Sequence, residues 1–289
     1  MYQFKHISVN INQGVLFATV SNPPCNVMTV NMLQELTQLG TTSASDDQVR
    51  VIVLQSNNPD FFIAHFDVMA LVDQPSGPLP KEAIFHTMGA SFRNNPKPSL
   101  VKISGRAGGG GCEVSSSCDM RFGVRGKSIL NQMEVPLGIL PGGTGSQNLP
   151  RLMGKGRALE MILGADDIDA ETAEKWGYFN RILDTVDAMN EFVDTLAYRI
   201  AKWPPHAVAL AKESVNNTDD MTWEGGLREE FLLVNYAKNE PATNQYLKKF
   251  IELGAQTPEG EKRMAELCVE VADAVACVGN SHNSGDDSC

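Results

Sequence analysis

The sequence predicts an α/β layered fold in which the chain crosses over between buried strands. Three features carry this expectation. Short, mainly apolar runs occur at 50–54 and 99–103, the pattern of strands covered on both faces. Helical periodicity stands between them. Beyond residue 142, helix signals take over almost completely. In order, 2–10 and 14–21 form a β-rich hairpin around Asn12-Gln13-Gly14. Thr29 is a candidate N-cap for a helix over 30–41, with Met32, Leu33, Leu36 and Leu39 on one face. Residues 73–81 are a Pro/Gly-rich loop, 82–94 a helix and 119–124 a strand. Helices are expected at 146–152, 155–163, 170–176, 187–201, 204–216, 222–238, 241–253 and 258–274, with a strand at 179–183. Trp203-Pro204-Pro205 is the clearest break. The expected organisation is a core over 1–200, a helical region over 201–276 and a disordered tail over 277–289, which lacks apolar periodicity.

The 289 residues correspond to one large domain or a core with an appendage. Lys plus Arg total 24 against 35 Asp plus Glu, a formal charge of −11. That balance argues against nucleic acid as a partner, which would call for a basic footprint. The six cysteines include no C-x-x-C pair and no histidine at ligand spacing, so no metal site is expected. They are also too sparse for a disulfide scaffold. The start, MYQFKHISVN, lacks the basic and apolar regions of a signal peptide. No run approaches the ~18 apolar residues of a membrane span. The expectation is a soluble intracellular protein without a membrane partner, cytoplasmic first and organellar matrix second. The final Asp287-Ser288-Cys289 is not a peroxisomal tripeptide.

The glycine run 108–111 follows the apolar strand 99–103 and precedes Cys112-Glu113-Val114. No Lys-Ser/Thr follows it, so a Walker loop fails. The spacing of Gly105, Gly108 and Gly111 does not match the dinucleotide fingerprint. A flexible linker conflicts with the ordered patterns on either side. The best reading is a strand-to-helix junction stripped of side chains, whose backbone N–H groups can hold an oxyanion. Glu113 falls in the first turn of the following helix, where an acid is favourable by itself. Glu134 lies in a mostly uncharged segment ahead of Pro141-Gly142-Gly143-Thr144-Gly145. Burial there would raise its pKa toward neutrality, as a general acid or base needs. Two acids flanking an anion site make general acid/base chemistry a candidate. Ser-His-Asp hydrolysis finds no nucleophile elbow. Cys112 is read as core packing rather than a nucleophile, and His65 as structural.

The stretch from Lys97 to Glu113 resembles the signature of the enoyl-CoA hydratase/isomerase (crotonase) superfamily. Further segments match in order. Pro24 to Met28 resembles an Asn-containing loop. Asp60 to Val68 resembles the first oxyanion segment. Glu134 to Gln147 resembles the second glutamate and its glycine turn, and Ala170 to Asn180 a helix and strand of the family. The resemblance implies a spiral of β-β-α turns with a helical C-terminal trimerisation region, as homotrimers or dimers of trimers. It implies an acyl-CoA substrate, with coenzyme A part of the substrate and no separate cofactor. Backbone N–H groups of Phe66 and Gly110 would form the oxyanion hole. Asn26, Val27, Ala64, Phe66, Asp67, Gly109, Gly110, Pro141 and Gly142 would contact the substrate. Glu113 and Glu134 would share a water and add it syn across a 2-enoyl thioester. The alternatives are isomerisation or another pathway-specific step on the same hole, with a CoA or carrier-bound thioester, and a non-catalytic acyl-CoA-binding oligomer. His65-Phe66 replaces the family's usual Gly-Ala, which implies a reshaped pocket. Asn22-Pro23-Pro24 stands where Lys or Arg is common.

Overall fold

The computed structural model describes residues 2–73 and 83–284, so most of the expected loop at 73–81 lies outside the described residues. Strands β1 (Ile7–Asn12) and β2 (Val15–Val20) pair antiparallel. Gln13 and Gly14, with φ of 48° and 80°, join them in the left-handed pair that a two-residue hairpin favours. Helix α1 (Val30–Ala44) starts where Thr29 accepts a hydrogen bond from Met32 N, and buries Met32, Leu33, Leu36 and Leu39. Strand β3 (Val51–Ser56) then runs parallel to β2.

From β3 onward the chain repeats one path. A strand of a large sheet leads to a three-residue strand of a second sheet, and helix follows. The first pass is β3, β4 (Phe61–Ile63), α2 (Val68–Val72) and α3 (Ile84–Arg93). The second is β5 (Ser99–Ile103), β6 (Arg106–Gly108) and α4 (Gly110–Ser116). The third is β7 (Met120–Val124), β8 (Ile129–Asn131), a 3₁₀ turn over Val135–Leu137, α5 (Gly145–Met153) and α6 (Lys155–Gly164). Strand β9 (Ile168–Asp169), α7 (Ala170–Trp176), β10 (Arg181–Leu183) and α8 (Val186–Ala201) complete the sequence. The large sheet has order β1-β2-β3-β5-β7-β10 and the small one β4-β6-β8-β9. Strands β4, β6 and β8 are parallel, so the turns stack in register. This is the expected spiral of β-β-α turns.

Successive turns touch backbone to backbone. A side chain on Gly105 would collide with the Asp60 carbonyl, one on Gly108 with the Ala64 carbonyl, and one on Gly111 with the Ile63 carbonyl. The glycine run is therefore set by packing as well as by the helix start it precedes.

The chain divides into two compact units, 1–198 and 199–289. The second contains α9 (Pro205–Asn216), α10 (Trp223–Asn239), α11 (Thr243–Glu252), α12 (Pro258–Lys262) and α13 (Met264–Ser284). The single helix expected over 258–274 is broken at Arg263, the α12 C-cap. The expected disordered tail is corrected in part: α13 is continuous to Ser284, because helical hydrogen bonding continues past the last apolar repeat. Residues 285–289 lie outside the described residues.

Arg121 on β7 is buried; its guanidinium lies 5.4 Å from the centroid of the Tyr178 ring, and its hydrogen bonds go to carbonyls. Nε donates to Tyr178 O at 2.8 Å, and Nη1 donates to Cys118 O at 2.7 Å and Ser115 O at 3.4 Å. It ties the end of α4 to the chain entering β10. Arg121→Met strands these acceptors in the interior. It is expected to destabilise the first unit by about 3 kcal/mol, read as a lower urea midpoint; an unchanged midpoint would show the carbonyls find other donors.

Candidate active site

The C-terminal ends of the three parallel short strands converge, and each delivers one part of a site. After β4 come His65 and Phe66. Phe66 forms an isolated parallel bridge with Met28, made by Met28 N to His65 O at 2.8 Å and Asp67 N to Met28 O at 2.9 Å. The bridge uses the neighbours' groups, so the N–H of Phe66 itself turns away from Met28. After β6, Gly109 (φ 45°) turns the chain into α4, and Gly110 is its first residue. The N–H of a first helical residue has no intrahelical acceptor. A methyl group added to Gly110 would lie 3.4 Å from Phe66 N, so the two backbones are adjacent. After β8 come Gln132 and Glu134.

These parts border a cavity of about 180 Å³. Its wall is mainly apolar: Phe66, Val68, Leu71, Phe85, Met133, Leu137, Ile139 and Leu140, with His65, Gly109, Gly110, Gly142 and Gly143. Phe66 packs edge-on to Phe85, with ring centroids 5.1 Å apart. Glu113 and Glu134 are the acidic groups in this wall.

The two carboxyls are held differently. Every residue of α4 is buried, Glu113 included. Its Oε1 accepts from Gly143 N at 2.7 Å and Gly145 N at 3.0 Å. Burial raises its pKa, and these two N–H groups oppose the rise by stabilising the charge. Glu134 precedes the 3₁₀ turn. Burial, with the Glu113 charge second, pushes its carboxyl up to about 7. Gln132 is fully buried beside it. A carboxylate accepts only, so the Gln132 amide presents its nitrogen, 3.0 Å from Oε1 and 2.8 Å from Oε2. That contact favours the charged form.

Of the expected site residues, the structure brings Phe66, Gly109, Gly110, Glu113, Glu134 and Gly142 to one cavity. Asn26, Val27, Ala64, Asp67 and Pro141 do not line it. The Asn26 amide is consumed in joining the first turn to Ser56 Oγ, Phe62 O and Asn22 N. The Val27 carbonyl accepts from Asn22, Ala64 packs under Gly108, Asp67 caps α2, and Pro141 is buried. His65, read as structural, is part of the cavity wall, and its Nδ1–H donates to the Phe66 carbonyl at 2.8 Å. Gln132 was not singled out from sequence; a polar residue two before an acid in an uncharged segment was the available signal. Cys112 is buried, its Sγ 3.4 Å from the Tyr178 hydroxyl. Burial pushes its thiol up to about 12. Among the described residues no three His, Cys, Asp or Glu side chains cluster as a metal site needs. None of the described helices is long and apolar enough to cross a membrane.

The sequence profile of the family described as enoyl-CoA hydratase/isomerase matches residues 10–258. The short-chain-enoyl-CoA hydratase of Clostridium acetobutylicum is 29% identical over 204 residues, 70% of this chain and 77% of that protein. A crystal structure of a Streptomyces avermitilis protein, provisionally named enoyl-CoA hydratase, is 36% identical with TM-score 0.68, covering 94% of this chain and 100% of that one. The crystal structure of Bacillus anthracis enoyl-CoA hydratase is 28% identical with TM-score 0.78, covering 86% and 96%.

The raised Glu134 pKa has a signed consequence for stability. Between the ordinary carboxyl value of 4.5 and about 7, the folded state holds a proton that the unfolded state has lost. Stability therefore falls as pH rises through that window and levels off above it. Glu134→Gln removes the share of this dependence that Glu134 contributes. The urea midpoint of this variant is expected above wild type at pH 8 and level with it near pH 4.5. Equal midpoints at pH 8 would count against a raised pKa.

Proposed function

The chain belongs to the enoyl-CoA hydratase/isomerase family, and on that premise we propose that it is an enoyl-CoA hydratase. The observation that carries this reading is the pairing of two buried carboxyls with the adjacent backbones of Phe66 and Gly110 on one apolar cavity. The thioester carbonyl of a 2-enoyl-CoA would accept from Phe66 N–H and Gly110 N–H. These donors stabilise the enolate oxygen that develops when the β-carbon is attacked. Glu113 and Glu134 face the same space, and like charges close together favour a single shared proton over part of the pH range. One water held between them loses a proton as its oxygen bonds to the β-carbon. The pair supplies a proton to the α-carbon as the C=C bond becomes single. Both transfers come from one side, so the addition is syn. Isomerisation needs only one carboxyl to relay a proton, so the pair favours hydration.

The apolar wall supports an acyl group without charge. Val68, Leu71, Leu137, Ile139 and Leu140 each stay more than a third exposed, as surfaces that an acyl chain would cover. For the assembly we propose a homotrimer or a dimer of trimers. Helix α10 supports association, because it exposes Trp223, Leu227, Phe231 and Val234 along one face. Light scattering after gel filtration reads this directly; a monomer at micromolar concentration would refute it.

With crotonyl-CoA, loss of the conjugated enoyl-thioester absorbance measures hydration. Glu113→Gln and Glu134→Gln are each expected to lower kcat by about 10²-fold or more. If both variants hydrate at the wild-type rate, the two-glutamate reading is wrong. For wild type, kcat/KM is expected to rise by about fourfold per added methylene until the cavity is filled. A profile that falls beyond four carbons would place the acyl chain elsewhere.

A further inference from the structure

Five non-glycine residues among those described have positive φ. Gln13, Asn26, Ala165 and Gln256 lie between 48° and 64°, inside the small left-handed region open to side chains. Thr144 stands apart, at φ 103° and ψ −17°. It is also β-branched, so this conformation is strained. Strain of this kind persists only where the surroundings over-determine it.

The surroundings of Thr144 do so. Its flanking residues, Gly143 and Gly145, both donate N–H to the same Glu113 oxygen. Neither position has room for a side chain: one on Gly143 would strike Glu113 and Phe85, and one on Gly145 would crowd Pro141 and Glu113. Thr144 therefore carries the side chain that can anchor this three-residue loop. Its hydroxyl lies 3.0 Å from Ser117 Oγ and 3.3 Å from the Glu113 carbonyl, both on the α4 segment. Ser117 Oγ in turn donates to the Glu113 carbonyl at 2.8 Å. The Thr144 methyl packs against Gly89 of α3. Its carbonyl accepts from Gln147 N and Asn148 N as α5 begins. The loop that holds the Glu113 carboxylate is thus clamped to the backbone of Glu113 itself. No donor among the described residues reaches Oε2, so the carboxylate keeps one oxygen free of protein bonds.

We propose that Thr144 is a positioning residue: its strained backbone, clamped through the hydroxyl to α4, turns the N–H groups of its two flanking glycines, Gly143 and Gly145, onto Glu113 Oε1 and leaves Oε2 for the reacting water. The function of the free oxygen rests on the hydratase reading; the clamp does not. Glycine occupies this backbone conformation without strain, so Thr144→Gly keeps the fold while deleting the clamp. Thr144→Ser restores the hydroxyl.

The test compares wild type, T144G and T144S by two readouts. The first is the carboxyl titration of Glu113, followed by ¹³C NMR with Glu113→Gln as the assignment control. Loss of fixed N–H donors removes stabilisation of the charged form, so the Glu113 titration moves to higher pH in T144G and returns toward wild type in T144S. The second is the pH profile of kcat for enoyl-thioester hydration. T144G is expected to lose about tenfold to hundredfold in kcat, with the acidic limb shifted upward and KM little changed. T144S recovers most of the loss. An unshifted Glu113 titration in a folded T144G overturns the proposal, as does a loss in T144S equal to that in T144G. If wild type hydrates no enoyl thioester, the hydratase reading fails, while the titration still decides the role of Thr144.

Discussion

Contact between the backbones of consecutive spiral turns is the constraint from which the site follows. Where Gly105, Gly108 and Gly111 meet the carbonyls of Asp60, Ala64 and Ile63, no side chain fits. That closeness lets three-residue strands pair as a second sheet, although each is too short to hold its shape alone. It also brings the chain ends after β4 and β6 side by side, so that Phe66 and Gly110 adjoin. A methyl group between the layers would separate the two N–H groups before it touched any substrate.

Burial then does the electrostatic work. Helix α4 is too short to be stable by itself and is held by complete enclosure. Enclosure leaves Glu113 in a medium that disfavours its charge, and its partial remedy is a pair of backbone donors. Glu134 has a softer environment with one side-chain amide at both oxygens. Fixed dipoles hold one carboxyl and a side-chain amide the other, while burial raises the pKa of both.

The parts of the fold legible in the sequence were those with enough length to show a period. Helix α1 has its cap and four buried positions in the order that the spacing predicts, and β3 and β5 show as short, mainly apolar runs. Strands β4, β6 and β8 were not legible, because three residues show no alternation; pairing between turns makes them strands. Glu113 and Glu134 stood out as acids in apolar company, and the structure buries both. Asn26 fits its family motif, yet its side chain braces the first turn rather than lining the cavity. Gln132 and Thr144 escaped notice for a common reason. Their importance depends on one contact each, with a carboxyl and with a helix, and neither residue type signals it.

Cys112 gives the site a further property. Its sulfur lies one residue before Glu113, in the first turn of a helix, where a thiol would ordinarily be favoured as thiolate. An α,β-unsaturated thioester is an electrophile toward sulfur, and a thiolate adds to its β-carbon more readily than water does. Here the thiol is enclosed, directed to the Tyr178 hydroxyl and held protonated, with the charges of Glu113 and Glu134 acting in the same sense as burial. The negative field that would draw a proton from water also denies one to be lost from sulfur. On the proposed hydratase reading, the same burial and charge arrangement would favour oxygen over sulfur as the nucleophile and protect the chain from self-alkylation.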